Sequence, residues 1–212
     1  MFKKFFTAHK KLFYLTEGLF TKNTVLVSGL VLAPVVVMGN TLKSAVLLSA
    51  AFFIITFFTV TISWFIPAKA PFTLRMISHA LIGAVIFIPL GYFLQNMFAE
   101  QIYKVSIFLP LLITNSIIVR KSETRFTKRQ FPFLMIDLIS HIFGFIIVIC
   151  VIGAVREILG NSSIWGHNFN LAHIPALMFP FSGFIICGFC AAALQKLNNY
   201  LSRREEVSDE PV

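Results

Sequence analysis

Asp137 and His141 are ionisable residues inside a long apolar stretch, and they stand four residues apart, so they share one face of a helix. An ionisable residue inside a membrane span is costly and usually faces a partner or a cavity. Histidine can also change its charge near neutral pH. The pair therefore predicts either part of an ion or proton path or a hydrogen-bonded pair that holds helices together.

Arg156 and Glu157 follow the same apolar stretch, which we place at residues 131–153. Adjacent opposite charges at the end of a span predict an interfacial ion pair on the outer side of the membrane.

Two other stretches combine a proline with a later asparagine. "LVLAPVVVMGN" contains Pro34 and Asn40, and "IFLPLLITN" contains Pro110, Thr114 and Asn115. Backbone groups that a proline frees at membrane depth must be satisfied by protein or by a water-lined cavity. We therefore predict two interrupted segments that face inward, with the two asparagine amides bonded to the broken backbone.

The three cysteines, Cys150, Cys187 and Cys190, all lie in apolar segments and show neither a disulfide framework nor zinc-ligand spacing. Cys187 and Cys190 share a helix face, so a joint metal or redox role is geometrically feasible. Close packing of a span is the favoured interpretation, because small residues are common where membrane helices meet. We predict no catalytic residue and no metal site.

The elements that must position these residues are membrane helices. The chain has 212 residues, of which 57% are hydrophobic and 13% charged, against about 25% charged in a soluble domain. A span needs about 20 apolar residues. The sequence predicts a single all-α integral membrane domain over residues 1–212, with six segments at roughly 24–38, 44–66, 75–95, 102–119, 131–153 and 173–195.

The distribution of basic residues orients these segments. Only Lys43, Lys104 and Arg156 fall in regions predicted to lie outside, and the other 15 of the 18 Lys and Arg residues fall inside. This positive-inside pattern predicts that both termini are cytoplasmic, and it explains the net charge without nucleic acid. Residues 1–23 are predicted to be an amphipathic segment on the lipid surface, and residues 200–212 a flexible tail.

The two interrupted segments are the first and the fourth, so an odd number of spans separates them. The halves of the chain would then run in opposite directions, and paired interruptions in inverted halves indicate a functional site near the midplane. Coincidence between two apolar stretches is the alternative explanation.

Three stretches carry a resemblance to a known family. Residues 22–45, "IFLPLLITNSIIVRKSE" (107–123) and "GAVREILGNSSIWG" (153–166) resemble the RnfE/NqrD-type membrane subunits of the Rnf and Nqr complexes. The resemblance implies a subunit of the bacterial cytoplasmic (inner) membrane that pairs with an oppositely inserted homologue of the RnfA/NqrE type and with the other subunits of the complex. Asp137 matches an acidic residue common in that family, and the loop at Arg156 and Glu157 matches a subunit interface or ion exit.

Departures from the family pattern fall at its cofactor site. The family has L-G-L-C-P and T-N-C, whose cysteines bind a two-iron, two-sulfur cluster shared with the partner subunit; here those cysteines are Ala33 and Ser116. Alanine cannot bind iron, and these clusters are held by cysteine, or by cysteine with histidine. We therefore expect no cofactor in this chain.

The function expected from the resemblance is that of a membrane subunit in a complex that couples electron transfer to ion translocation, without iron–sulfur ligands of its own. Such a subunit would be non-catalytic or would provide part of the electron or ion path. The alternative is a secondary transporter or substrate-binding component with the same inverted-repeat fold, in which Asn40, Asn115 and Ser116 would line a solute or cation site. A purely structural role is a third hypothesis.

Overall fold

The computed structural model describes residues 23, 25–29, 31–67, 69–105, 107–121, 131–169 and 174–208. The prediction for residues 1–22 lies outside these ranges, as does the prediction for residues 209–212 of the tail. Apart from one small hairpin, the regular elements of the described residues are all helices, in agreement with the predicted class. In chain order they form α1 (Leu32–Met38), α2 (Leu42–Ser63), α3 (Phe72–Met97), α4 (Ala99–Val105), a 3₁₀ turn (Pro110–Leu112), α5 (Ser116–Lys121), α6 (Phe131–Asn161), β1 (Ser163–Ile164), β2 (His167–Asn168), a second 3₁₀ turn (Pro175–Met178) and α7 (Pro180–Ser208).

Four of these helices contain stretches long and apolar enough to cross a membrane: 42–63, 72–97, 134–161 and 180–200. They correspond to the second, third, fifth and sixth predicted segments, so a multi-pass membrane chain is confirmed. α6 is longer than predicted and ends at Asn161 rather than near residue 153. Arg156 and Glu157 therefore lie within the helix and not beyond its end, because the intervening residues are mostly good helix formers with no proline.

The first and fourth predicted segments are broken into short pieces. A turn at residues 25–28 precedes α1, which has 7 residues, and Val31 before it has the left-handed φ of 59°. The fourth segment consists of α4, the 3₁₀ turn that begins at Pro110, and α5. In the fourth segment the interruption falls at Pro110, whereas in the first it falls just before α1, whose third residue is Pro34. None of these pieces has the length of a span, so six spans in two inverted halves remain a prediction.

α2 and α6 form the centre of the fold and pack antiparallel. The rings of Phe52 and Phe145 stack with centroids 3.9 Å apart, and nearer one end Ser49 Oγ lies 3.9 Å from Cys150 Sγ. Gly153 permits a closer approach, because a Cβ there would lie 3.0 Å from the Cβ of Ala45. α3 and α7 flank this pair and present far more apolar surface to the surroundings, as helices in contact with lipid do.

Candidate functional site

A pocket of about 310 Å³ lies between the two interrupted segments. The segment around α1 contributes Ala33 and Pro34, with Gly29, Val31 and Leu32; the segment before α5 contributes Leu111, Thr114 and Asn115. The structure thus brings together predicted site residues that are about 80 positions apart in the chain. Pro110 is exposed at the start of the 3₁₀ turn, Asn40 follows the far end of α1, and Ser116 begins α5 directly after Asn115.

The side-chain amide of Asn115 makes four hydrogen bonds, which fix the second interrupted segment in the wall of the pocket. Its Oδ1 accepts hydrogen bonds from the backbone N–H groups of Ile117 (3.1 Å) and Ile118 (3.0 Å), so it caps the start of α5. Its Nδ2 donates to the carbonyl of Leu112 (2.9 Å) and to Thr56 Oγ1 on α2 (3.0 Å). The amide therefore serves the broken backbone, as predicted, and also fixes that backbone to α2.

α3 supports the same wall from behind. A Cβ added at Gly83 would lie 2.8 Å from Ile113 Cγ2 and 3.2 Å from the Ile113 carbonyl oxygen. Only glycine allows so close an approach without a shift of the backbone, so α3 fixes how far the second interrupted segment can move away from the pocket.

The first segment is held by Arg156, whose side chain is fully buried. Its Nη1 donates to the carbonyls of Val36 (2.7 Å) and Gly39 (3.0 Å), at the end of α1. Its Nε and Nη2 donate to three carbonyls near the second 3₁₀ turn, those of Leu177, Met178 and Phe179. A guanidinium has five N–H groups, and each one has a carbonyl partner here.

This role of Arg156 was not predicted from the sequence, which assigned the bonding of the first broken segment to Asn40. A signal was present, because basic side chains favour the last carbonyls of a helix. The partner helix, however, lies 120 residues away in the chain, so nothing local identifies it.

Glu157 holds the other side of the turn at residues 39–41. Its Oε2 accepts a hydrogen bond of 2.7 Å from the N–H of Leu42, the first residue of α2, and its Oε1 accepts one of 3.4 Å from the hydroxyl of Ser163. Thr41 caps the same helix through the N–H of Ser44. Arg156 and Glu157 thus have separate partners, instead of the ion pair predicted for them.

Asp137 and His141 are both fully buried on α6, with Nε2 3.7 Å from Oδ1. α2 and α6 are in contact at Thr61–Met135 and at Phe52–Phe145, on either side of Asp137 and His141. Because the two helices are antiparallel, Asp137 and His141 lie beside the turn of α2 that carries Thr56. Thr56 is the residue bonded to Asn115, so the ionisable pair lies at the depth of the pocket wall.

Two buried hydroxyl groups lie in the same part of the α2–α6 interface as Asp137 and His141. Thr59 on α2 and Ser140 on α6 are 0% and 5% exposed, and within the described ranges their hydroxyls have no hydrogen-bond partner. A buried polar group without a partner is costly in an apolar surrounding. This part of the α2–α6 interface therefore contains two buried hydroxyls without a hydrogen-bond partner among the described residues.

Asn23 is a further residue that the sequence reasoning missed. Its Oδ1 accepts from the N–H groups of Val25 (2.9 Å) and Leu26 (3.2 Å), and its Nδ2 donates to the Gly144 carbonyl on α6 (3.0 Å). It anchors the chain to α6 just before the first interrupted segment.

Comparison with known proteins agrees with this architecture. A family model described as "Rnf-Nqr subunit, membrane protein" matches residues 11–197. The chain belongs to the Rnf-Nqr family of membrane subunits. One relative, the E-type subunit of an ion-translocating oxidoreductase complex from Glaesserella parasuis, is 30% identical over 151 residues, which cover 71% of this chain and 66% of the relative. That match spans about two thirds of the relative's length.

Two further relatives are E-type subunits of the same kind of complex. The Haemophilus ducreyi protein is 29% identical over 153 residues, covering 71% of this chain and 66% of its own length. The Erwinia tasmaniensis protein is 27% identical over 213 residues, covering 92% of this chain and 91% of its own. The Rnf-Nqr resemblance therefore extends over nearly the whole chain at modest identity.

The lining of the pocket includes one of the two positions at which the resembled family has a cluster-binding cysteine. Ala33 presents only a methyl group there, and Asn115 has no free amide position. All three cysteines are described and none lines the pocket: Cys150 faces Ser49, and Cys187 and Cys190 lie on α7. Within the described ranges there is also no group of three or more His, Cys, Asp or Glu residues able to hold a metal.

Proposed function

We propose that this chain is a membrane subunit of an ion-translocating oxidoreductase complex, in which electron transfer by other subunits drives ions across the bacterial cytoplasmic membrane. The observation that carries the proposal is the pocket formed by the two interrupted segments, in a chain that belongs to the Rnf-Nqr family. In this arrangement an oppositely inserted homologue packs against the same two segments, and both termini of the chain are cytoplasmic.

The chain contributes no iron ligand to that complex. Its only thiols lie away from the pocket, and alanine stands at one of the two positions where the family has cysteine. Electrons then pass through groups held by other subunits, and this chain provides structure and an ion path.

Asp137 and His141 are the residues proposed for the ion path. They are buried at the depth of the pocket, and the unpartnered hydroxyls of Thr59 and Ser140 lie in neighbouring turns of α2 and α6. Arg156 and Glu157 hold the backbone towards the outer end of the same path, since their side chains already bind α1 and α2.

The test is to purify the complex through a tag on this chain and to reconstitute it in liposomes. Redox-driven uptake is then followed with radioactive sodium and, separately, with a pH-sensitive dye. Asp137→Asn is expected to lower ion uptake about tenfold or more, which corresponds to about 1.4 kcal/mol in the barrier, while electron transfer continues. Ile139→Ala, on the exposed face of the same helix, is the control and should change uptake far less.

Two results would contradict the proposal. Solute uptake by this chain alone, without redox subunits, would favour a transporter instead. A loss of bound iron and sulfide from the complex when Cys150, Cys187 and Cys190 are all changed to serine would show that the chain does hold a cluster.

A further inference from the structure

A second cavity, of about 330 Å³, lies away from the pocket, between α6 and α7. Its walls are formed by four residues of α6 and four of α7, and Asn23 and Leu26 close one side. The wall residues are Ile147, Val148, Val151, Ile152, Cys190, Ala193, Leu194 and Leu197. We call it the α6–α7 groove. The proposed function does not use it.

The lining of the α6–α7 groove offers a ligand almost no hydrogen bonds. Asn23 is its one amide side chain, and the Oδ1 and Nδ2 of that amide are already bonded to Val25, Leu26 and the Gly144 carbonyl. The remaining lining side chains are aliphatic, apart from the thiol of Cys190. A polar head group, such as that of a quinone, would lose its hydrogen bonds to water there without replacement.

The α6–α7 groove is continuous with the exposed apolar surface of these two spans. Three of its lining residues, Ile147, Val151 and Leu197, are 40%, 48% and 50% exposed on the outside of the two helices. Its mouth therefore opens towards the hydrocarbon of the bilayer and not towards water. An empty apolar groove forfeits dispersion contacts along its walls, so a flexible hydrocarbon chain from the adjoining leaflet is the occupant that fits.

We propose that the α6–α7 groove binds one acyl chain of a membrane phospholipid, with the head group outside the groove. The site is distinct from the pocket between the interrupted segments, and it holds whether or not the chain moves ions.

The experiment uses the full chain within its complex, in lipid nanodiscs that contain a phospholipid with a diazirine in the middle of one acyl chain. After illumination, mass spectrometry locates the cross-linked residues. Labelling of the eight wall residues on α6 and α7 is expected to exceed that of the exposed face of α3, at Leu81 and Val85, about threefold per residue, because a bound chain stays beside its walls. Equal labelling of the two surfaces would overturn the proposal.

Adjacent alanines on α7 supply matched variants. Both Ala192 and Ala193 are exposed, but only Ala193 lines the groove. Ala193→Phe should reduce groove labelling to the level of α3, and Ala192→Phe should leave it unchanged; equal effects of the two would overturn the proposal. Ala193→Leu fills less space and should give an intermediate loss, which keeps the test decisive if the larger side chain prevents folding. Labelling that occurs in the isolated chain but disappears in the complex would show that a protein partner covers the groove, and would also overturn it.

Discussion

Arg156 Nη1 lies 2.7 Å from the carbonyl oxygen of Val36, and this hydrogen bond joins α6 to the helix that carries Ala33. The guanidinium is fully buried, and its other N–H groups bind four more carbonyls. The far end of α1 is thus held by a residue of a different helix. The position of one wall of the pocket consequently depends on α6.

Replacing Arg156 should be the most damaging single change among the pocket supports. Arg156→Gln leaves at most two donors for five carbonyls, and we expect a loss of about 3 kcal/mol in stability, since bonds from charged donors are strong and buried acceptors are costly to leave unpaired. Arg156→Lys, with three donors, should lose less. Thermal unfolding of the purified protein in detergent measures both. Lys196→Gln, at an exposed position on α7, is the control and should change stability by about 0.5 kcal/mol or less.

Glu157 should act through the start of α2. Glu157→Gln keeps an oxygen acceptor for the Leu42 N–H but removes the charge that favours a helix N-terminus, so we expect a loss of about 0.5–1 kcal/mol. Glu157→Ala removes the acceptor as well and should cost more. Unfolding in detergent at low and high salt separates the two contributions. A Gln variant as unstable as the Ala variant would mean that the charge, and not the hydrogen bond, is what matters.

Asn115 and Thr56 should behave as a coupled pair. Thr56→Val removes the acceptor of one amide bond at nearly constant shape and is expected to cost about 1 kcal/mol. Asn115→Ala removes the helix cap and the link to α2, at about 2 kcal/mol. In a double-mutant cycle, Thr56→Val should add little once Asn115 is alanine, because the shared bond is already lost. If the two stability losses were fully additive, the hydrogen bond between Asn115 and Thr56 would contribute nothing to stability.

Two glycines of α3 should respond in opposite ways to the same change. Gly83→Ala places a Cβ 2.8 Å from Ile113 Cγ2, and the resulting overpacking is expected to cost about 1–3 kcal/mol. Gly91→Ala meets nothing within 4 Å and should be neutral or stabilising by up to about 1 kcal/mol, as helix propensity favours alanine. The comparison uses thermal unfolding of the two variants side by side. Similar losses in both would argue that α3 is sensitive to any side chain and that its approach to Ile113 is not special.

The sequence was sufficient to predict the membrane class, the four long helices and the two interruptions, because hydropathy and proline act locally. Asn115 could also be predicted, since it caps the helix that begins at the next residue. Its second role, at Thr56, could not, because that bond depends on how α2 packs.

Arg156 shows the same limit more clearly. Its position in the sequence indicates an end of a span and its charge indicates the interface, so an ion pair with Glu157 was the natural prediction. A helix places adjacent side chains about 100° apart. Arg156 therefore binds backbone at the end of α1, and Glu157 binds the start of α2. Which carbonyls were left over at the end of α1 is a property of the fold, and no local pattern encodes it.

The five bonds of Arg156 also constrain the order in which the protein can mature. The carbonyls that surround the guanidinium come from residues 36–39 and 177–179, so α1, although it is synthesised early, cannot acquire its final partners until the chain has grown past Phe179. Contacts this distant in sequence form late and slowly. The segment that carries Ala33 is therefore synthesised before α2 to α7 but fixed in place only after the start of α7 is made.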